Sequence, residues 1–183
     1  MKCALVLVDI QNDYFPGGRM ELQGSLDAGL VAKNVVADFR QTGIPVVHVQ
    51  HIAKKPTATF FLPGTSGAEI HESVKPSPEE KVVVKHYPNS FRETDLQKHL
   101  ESLGVGRIAI VGMMTHMCID TTVRAAFDLG YDIQVVGAGC ATKSLSIGQV
   151  TVAAEEVQNS FLAALNGTFC KVVSRSDLRS WLD

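Results

Sequence analysis

Six short runs of this chain are apolar nearly throughout instead of at alternate positions: Ala4–Val8, Ile44–Gln50, Lys81–Lys85, Arg107–Val111, Ile133–Val136 and Phe169–Val173. A strand with one face in water alternates apolar and polar residues. Continuous apolarity means burial on both faces, as in a parallel sheet covered by helices. Helical spacing separates these runs, over Leu26–Gln41, Leu96–Leu103, Thr115–Leu129, Gln149–Leu165 and a terminal Ser176–Leu182. Gly43, Gly104, Gly130 and Gly167 stand where helices should stop. Repeated strand-then-helix order with right-handed crossovers predicts an α/β chain, a Rossmann-like three-layer α/β/α sandwich on a six-stranded parallel sheet. No repeat or linker interrupts residues 1–183, so one domain is expected, large enough to bury a core without staples.

Charge narrows the function. The net charge is -2 and no run of Lys and Arg stands out, so bulk attraction to nucleic acid or an anionic membrane is not expected. The apolar start of the chain is short and ends at a carboxylate, Asp9, with no cleavage-site pattern behind it. Together with the lack of any membrane-length apolar run, this predicts a cytoplasmic protein. Cys3, Cys118, Cys140 and Cys170 are scattered without a C-x-x-C pair, which fits reduced thiols and no zinc site. Cys140 falls in a Gly-rich stretch read as a turn.

Ala53–Glu80 breaks the rhythm, with Pro56, Pro63, Pro76 and Pro78 around Gly64 and Gly67. Loops of that length inside compact domains are usually functional. Phe60 and Phe61 within it either cover a pocket, meet another subunit, or anchor the loop as a local cluster.

In open parallel sheets, sites lie at the carboxyl ends of the strands. The first run ends at Asp9, where a dinucleotide binder would carry a Gly-rich turn. Asp9 is a candidate acid–base group, although an Asp there could equally cap a turn, as could Asp13. The third run ends at Lys85, behind three valines, which either snorkels to water or is buried beside a carboxylate. The fourth runs through Gly112 into a helix start that places Cys118 in its first turn, where N–H groups and the helix dipole favour a thiolate. The alternative for Cys118 is an inert core thiol. His48 and His51, three apart on one strand, face opposite ways and make a poor metal pair; His51 is the one near the strand end.

Three motifs, in order, carry a family resemblance over essentially the whole chain: LVLVDIQNDYF from Leu5, VVVKHYPNSF from Val82, and VGMMTHMCIDTTVRAAFDLGY from Val111. The chain resembles the isochorismatase-like cysteine hydrolases, which include nicotinamidases, N-carbamoylsarcosine amidases and isochorismatases. The resemblance implies a catalytic triad of Asp9, Lys85 and Cys118, a cis peptide between Met113 and Met114, and an oxyanion hole from the backbone N–H groups of Met114 and Cys118. It also implies a homodimer or homotetramer. The Asp-x-His metal motif of nicotinamidases is replaced by Val49-Gln50-His51-Ile52, so no metal and no cofactor are expected.

The chemistry so implied is attack of Cys118 on a small-molecule amide or related C–N bond through a thioester, with Asp9 alternating as base and acid. Phe15, His51, Phe60, Tyr87, Phe91 and His116 are the tentative pocket residues. Vinyl-ether hydrolysis of the isochorismatase type is the alternative. It calls for a basic pocket, for which Arg19 or Arg92 are candidates. A catalytically silent binding module is the third reading.

Overall fold

The computed structural model describes residues 1–181. Its main sheet has six strands, all parallel: β1 (Lys2–Val8), β2 (Val46–His51), β3 (Lys81–Lys85), β4 (Val105–Met113), β5 (Asp132–Ala141) and β8 (Lys171–Val173), in the spatial order β3-β2-β1-β4-β5-β8. The chain winds outward from β1 to β3, returns to β4 beside β1, and then winds outward the other way. The direction therefore reverses between β1 and β4, which opens a crevice at their carboxyl ends.

Side-chain alternation along the sheet builds two cores. Leu5 and Leu7 of β1 face one side, where α1 (Ser25–Thr42) contributes Val35 and Phe39 and α5 (Arg175–Leu178) contributes Leu178. Ala4, Val6 and Val8 face the other, against α2 (Leu96–Ser102), α3 (Asp120–Asp128) and α4 (Ala154–Leu165) through Leu100, Val123 and Leu165. Each such side chain taken fully out of water contributes about 1.5–3 kcal/mol, and Leu5, Phe39 and Leu100 are all fully buried. Among the described residues no helix is long and apolar enough to cross a membrane.

Three expectations need correction. The helix anticipated over Gln149–Leu165 begins only at Ala154; the preceding residues form a hairpin, β6 (Leu145–Ile147) and β7 (Val150–Val152), closed at Gly148 with φ 59°. Its apolar residues alternate with Ser, Gln and Thr, a period of two that the helix reading overran. Cys140 is not in a turn but inside β5, paired with Gly112. The glycines around it serve close packing: a Cβ on Gly139 would stand 2.8 Å from Val111 Cγ1. Third, the terminal helix is a single α-turn continued by a 3-10 turn over Arg179–Trp181; its expected last residue, Leu182, lies outside the described residues.

Candidate active site

The strand order places three side chains of the site on neighbouring strand ends and the fourth just beyond β4. Lys85 ends β3, His51 ends β2 and Asp9 directly follows β1. Because β2 lies between β3 and β1, a Lys85 side chain that reaches Asp9 must pass the end of β2, where His51 stands. Gly112 of β4 faces Val8 with φ 141°, and a Cβ there would collide with the Val8 carbonyl. Only glycine lets β4 run that close to β1 and deliver the following turn to Asp9.

That turn carries the nucleophile candidate. The Met113–Met114 peptide is cis. The next residues, Thr115–Ile119, form a π-helical turn, with the Ile119 N–H donating to Met114 O at 3.2 Å, before α3 begins at Asp120. Sequence spacing predicted an ordinary helix from Thr115. The wider turn is a feature often found at functional positions. The Thr115 hydroxyl donates to Gln158 Oε1 of α4 at 2.6 Å, and the Gln158 amide donates to Cys140 O at 3.1 Å, so the turn is tied to α4 and β5.

Lys85 and Asp9 are both completely buried, with Nζ 2.8 Å from Asp9 Oδ2. The ammonium also donates to Tyr87 O at 3.0 Å and Pro88 O at 3.1 Å, and lies 3.4 Å from His51 Nδ1. Three N–H bonds and three oxygen acceptors match. Burial pulls the Lys85 amine down, but the charges of Asp9 and Cys118 outweigh it and the net displacement is upward. Lys85 is therefore a fixed cation. The Asp9 carboxylate takes no backbone or hydroxyl hydrogen bond. Its ion-pair partner is the Lys85 ammonium, and one of its oxygens lies within 4.8 Å of the Cys118 sulfur.

Cys118 itself is buried. Burial and then the neighbouring Asp9 carboxylate push its thiol far above the ordinary range, with Lys85 opposing less strongly. This reverses the expectation of a resting thiolate: desolvation and a carboxylate beside the sulfur outweigh the helix start. These influences favour a neutral thiol beside the Asp9–Lys85 ion pair.

His51 belongs to this cluster; ligand atoms of Asp9, His51 and Cys118 lie within 4.8 Å of one another. The spacing could suit a metal ion, yet the Lys85 ammonium stands 2.8 Å from one of these groups and 3.4 Å from another. A second cation there would face strong repulsion in a buried setting, so the donor set does not fit a metal. The backbone of His51 is fixed by Gln11: its N–H donates to Gln11 Oε1 at 2.7 Å and its carbonyl accepts from Gln11 Nε2 at 2.9 Å.

The long loop folds over this end of the sheet and encloses a cavity of about 340 Å³. Of the tentative pocket residues, His51, Phe60 and Tyr87 line it. Phe15, Phe91 and His116 do not. Phe15 stacks on His71 at 3.5 Å beneath α1, Phe91 packs against Tyr131, and His116 turns to Thr142 Oγ1 at 2.5 Å. Each lies within one of the three motifs, but its side chain packs on other partners than the cavity. Phe61 is buried against Tyr14 and also lines the cavity, so the two phenylalanines both anchor the loop and wall the pocket. Arg19 is not among the cavity residues.

Sequence reasoning missed the supports. Asp13 is buried and does not cap its own turn; its carboxylate accepts from the Phe61 N–H at 2.6 Å and the Arg19 N–H at 3.1 Å. Gly67 leaves room for it, since a Cβ there would collide with the Asp13 carboxylate. The signal was present: Gln11 and Asp13 are polar residues set between the buried Ile10 and Tyr14.

The isochorismatase domain model matches residues 3–176, and the chain belongs to the isochorismatase family. It is 51% identical over 172 residues to the uncharacterized isochorismatase family protein YddQ of Bacillus subtilis, covering 94% of this chain and 96% of that one. It is 31% identical to the secreted isochorismatase effector Isc1 of Verticillium dahliae (95% and 88% covered) and 30% identical to nicotinamidase 3 of Arabidopsis thaliana (71% and 68% covered). An isochorismatase hydrolase structure from Oleispira antarctica superposes with a TM-score of 0.94 at 45% identity, covering 98% and 96% of the two chains. The six-stranded α/β/α fold is that of the isochorismatase-like hydrolases.

Proposed function

We propose that the chain is a cysteine hydrolase that cleaves a small-molecule amide or related C–N bond through a thioester. The observation that carries this reading is the buried meeting of Asp9, Lys85 and Cys118, in which the ammonium stands 2.8 Å from the carboxylate and the carboxylate lies within 4.8 Å of the sulfur. Such a site holds a neutral nucleophile beside a ready base.

Asp9 takes the Cys118 proton as the sulfur attacks the carbonyl carbon, and the Lys85 charge stabilises the anion that develops. The carbonyl electrons move onto oxygen, held by the backbone N–H groups of Met114 and Cys118. Collapse of this intermediate breaks the C–N bond, and Asp9 gives its proton to the leaving nitrogen. Asp9 then removes a proton from water, which attacks the thioester. Release of the acid returns that proton to the sulfur. Lys85, with its donors committed to Asp9, Tyr87 O and Pro88 O, holds charge and donates no proton.

Ammonia or amine release from small amides and carbamoyl amines tests the scheme, using wild type and Cys118→Ala, with trapping of a covalent adduct by mass spectrometry. Release that requires Cys118 and an acyl adduct on the Cys118 peptide support it. Turnover that survives Cys118→Ala refutes it. A vinyl-ether reading draws on the name of the Verticillium relative; consumption of isochorismate by the Cys118→Ala variant would establish it instead.

A further inference from the structure

The cavity beside the triad is chemically one-sided. Its apolar walls are Phe60, Phe61, Tyr87 and Met117. Every lining side chain that can carry charge near neutrality is a base: His51, His86, Lys54 and Lys55. No carboxylate lines it, although Asp and Glu outnumber Lys and Arg in the chain, 19 to 17. Lys54 and Lys55 are exposed at the rim, and neither forms an ion pair among the described residues. A fifth base, Arg92, sits 3.7 Å from the centroid of the Tyr87 ring.

The neutral groups have the same polarity at the inner end. His51 Nδ1 faces the Lys85 ammonium at 3.4 Å. An N–H on Nδ1 would point at that cation, so the charge favours the tautomer with its lone pair on Nδ1 and its proton on Nε2. Burial draws His51 below its ordinary range, with Asp9 opposing and Lys85 adding to it, which favours the neutral ring. The pocket thus presents the His51 ring near the reacting groups, flat apolar walls, and two exposed ammonium groups without an ion-pair partner among the described residues.

We infer that the substrate is a small anionic amide, one that carries a carboxylate held by Lys54 and Lys55 while its body lies between Phe60 and Tyr87. The loop between β2 and β3 is then the specificity element, since it supplies both lysines and both phenylalanines. The bond that is cleaved rests on the amide-hydrolase reading; recognition of the charge does not.

The test therefore uses binding as well as turnover. Calorimetric titration of the Cys118→Ala protein with 4-carbamoylbenzoate and with its uncharged methyl ester isolates the charge, and succinamate against butyramide repeats it on an aliphatic frame. Two partly exposed ion pairs predict about three- to tenfold tighter binding of a carboxylate over its neutral partner. The preference should shrink in 1 M NaCl, where screening acts within about 3 Å, and vanish in Lys54→Ala/Lys55→Ala. Equal binding of charged and neutral probes, a preference that survives loss of both lysines, or no binding of either carboxylate would overturn the inference. Failure of the amidase scheme would show separately, as amide turnover that persists without Cys118.

Discussion

The completely buried Lys85–Asp9 pair allows a stability prediction independent of any substrate. Lys85→Met keeps the length of the side chain and removes its charge. Asp9 Oδ2, Tyr87 O and Pro88 O then lose a donor together, and a carboxylate is left buried without a counter-ion. Cutting a buried pair from one side costs about 3–5 kcal/mol. For a chain of this size that lowers Tm by roughly 6–20 °C, at about 2–4 °C per kcal/mol. The double variant Asp9→Asn/Lys85→Met removes both charges and should be more stable than Lys85→Met alone, with a coupling energy on the order of 2 kcal/mol. Urea unfolding followed by circular dichroism at pH 7.5, on wild type, both single variants and the double, measures the cycle. A loss below 1 kcal/mol in Lys85→Met, or strict additivity in the double, would show that the charges are not coupled as the geometry requires.

Further expectations follow from other contacts. Because burial and Asp9 raise the Cys118 thiol, its alkylation by iodoacetamide should rise about tenfold per pH unit between pH 7 and 9 without a plateau; a plateau near neutrality, read on the Cys118 peptide, would mean a resting thiolate. Glu80 is drawn down to about 2: burial opposes this, but Arg40, the Ser77 N–H and His48 overcome it. Its folded value lies below the ordinary 4.5, so its stabilisation is complete above that pH and is lost as pH falls towards about 2. Glu80→Gln should flatten the acid limb of stability there by on the order of 2 kcal/mol, and an unchanged limb in acid titrations would disprove it. Asp13→Ala frees the Phe61 and Arg19 N–H groups, costs about 1.5–3 kcal/mol, and should raise KM more than it lowers kcat. An effect on kcat alone would place Asp13 outside pocket formation.

The legible part of this protein was the part governed by local period and by strand ends. Continuous apolar runs identified all six parallel strands because burial on both faces leaves no room for polar alternation. Asp9, Lys85 and Cys118 could be placed because each ends a strand, directly follows one, or lies in the turn beyond one at the carboxyl edge. Phe15, Phe91 and His116 could not be placed, because closeness in sequence does not fix which side of a turn a side chain leaves. Lys54 and Lys55 were invisible for the opposite reason: they lie in an irregular loop whose path is set by contacts to distant residues, such as Phe61 N–H on Asp13 and Ala68 O on Gln11. The hairpin was overrun because Val150, Val152 and the following helix share an apolar stripe that fits either period over a short window.

The charge state of the site ties these placements together. A thiolate at rest would need Lys85 to outweigh both burial and Asp9, and the order of influences on Cys118 is the reverse. The cluster instead stores its negative charge on Asp9, where the ammonium is 2.8 Å away. Moving one proton from sulfur to Asp9 transfers that charge onto the sulfur without changing the net charge of the buried site, so little new desolvation is incurred. Lys85 remains close to the charge in both states because its other two donors are fixed on Tyr87 O and Pro88 O. The segment that follows them is tied to Thr122 of α3, whose hydroxyl oxygen accepts from the Ser90 N–H at 3.1 Å. The same helix follows directly from the turn that carries Cys118, so one element positions both Cys118 and the segment that follows the carbonyls bound to Lys85.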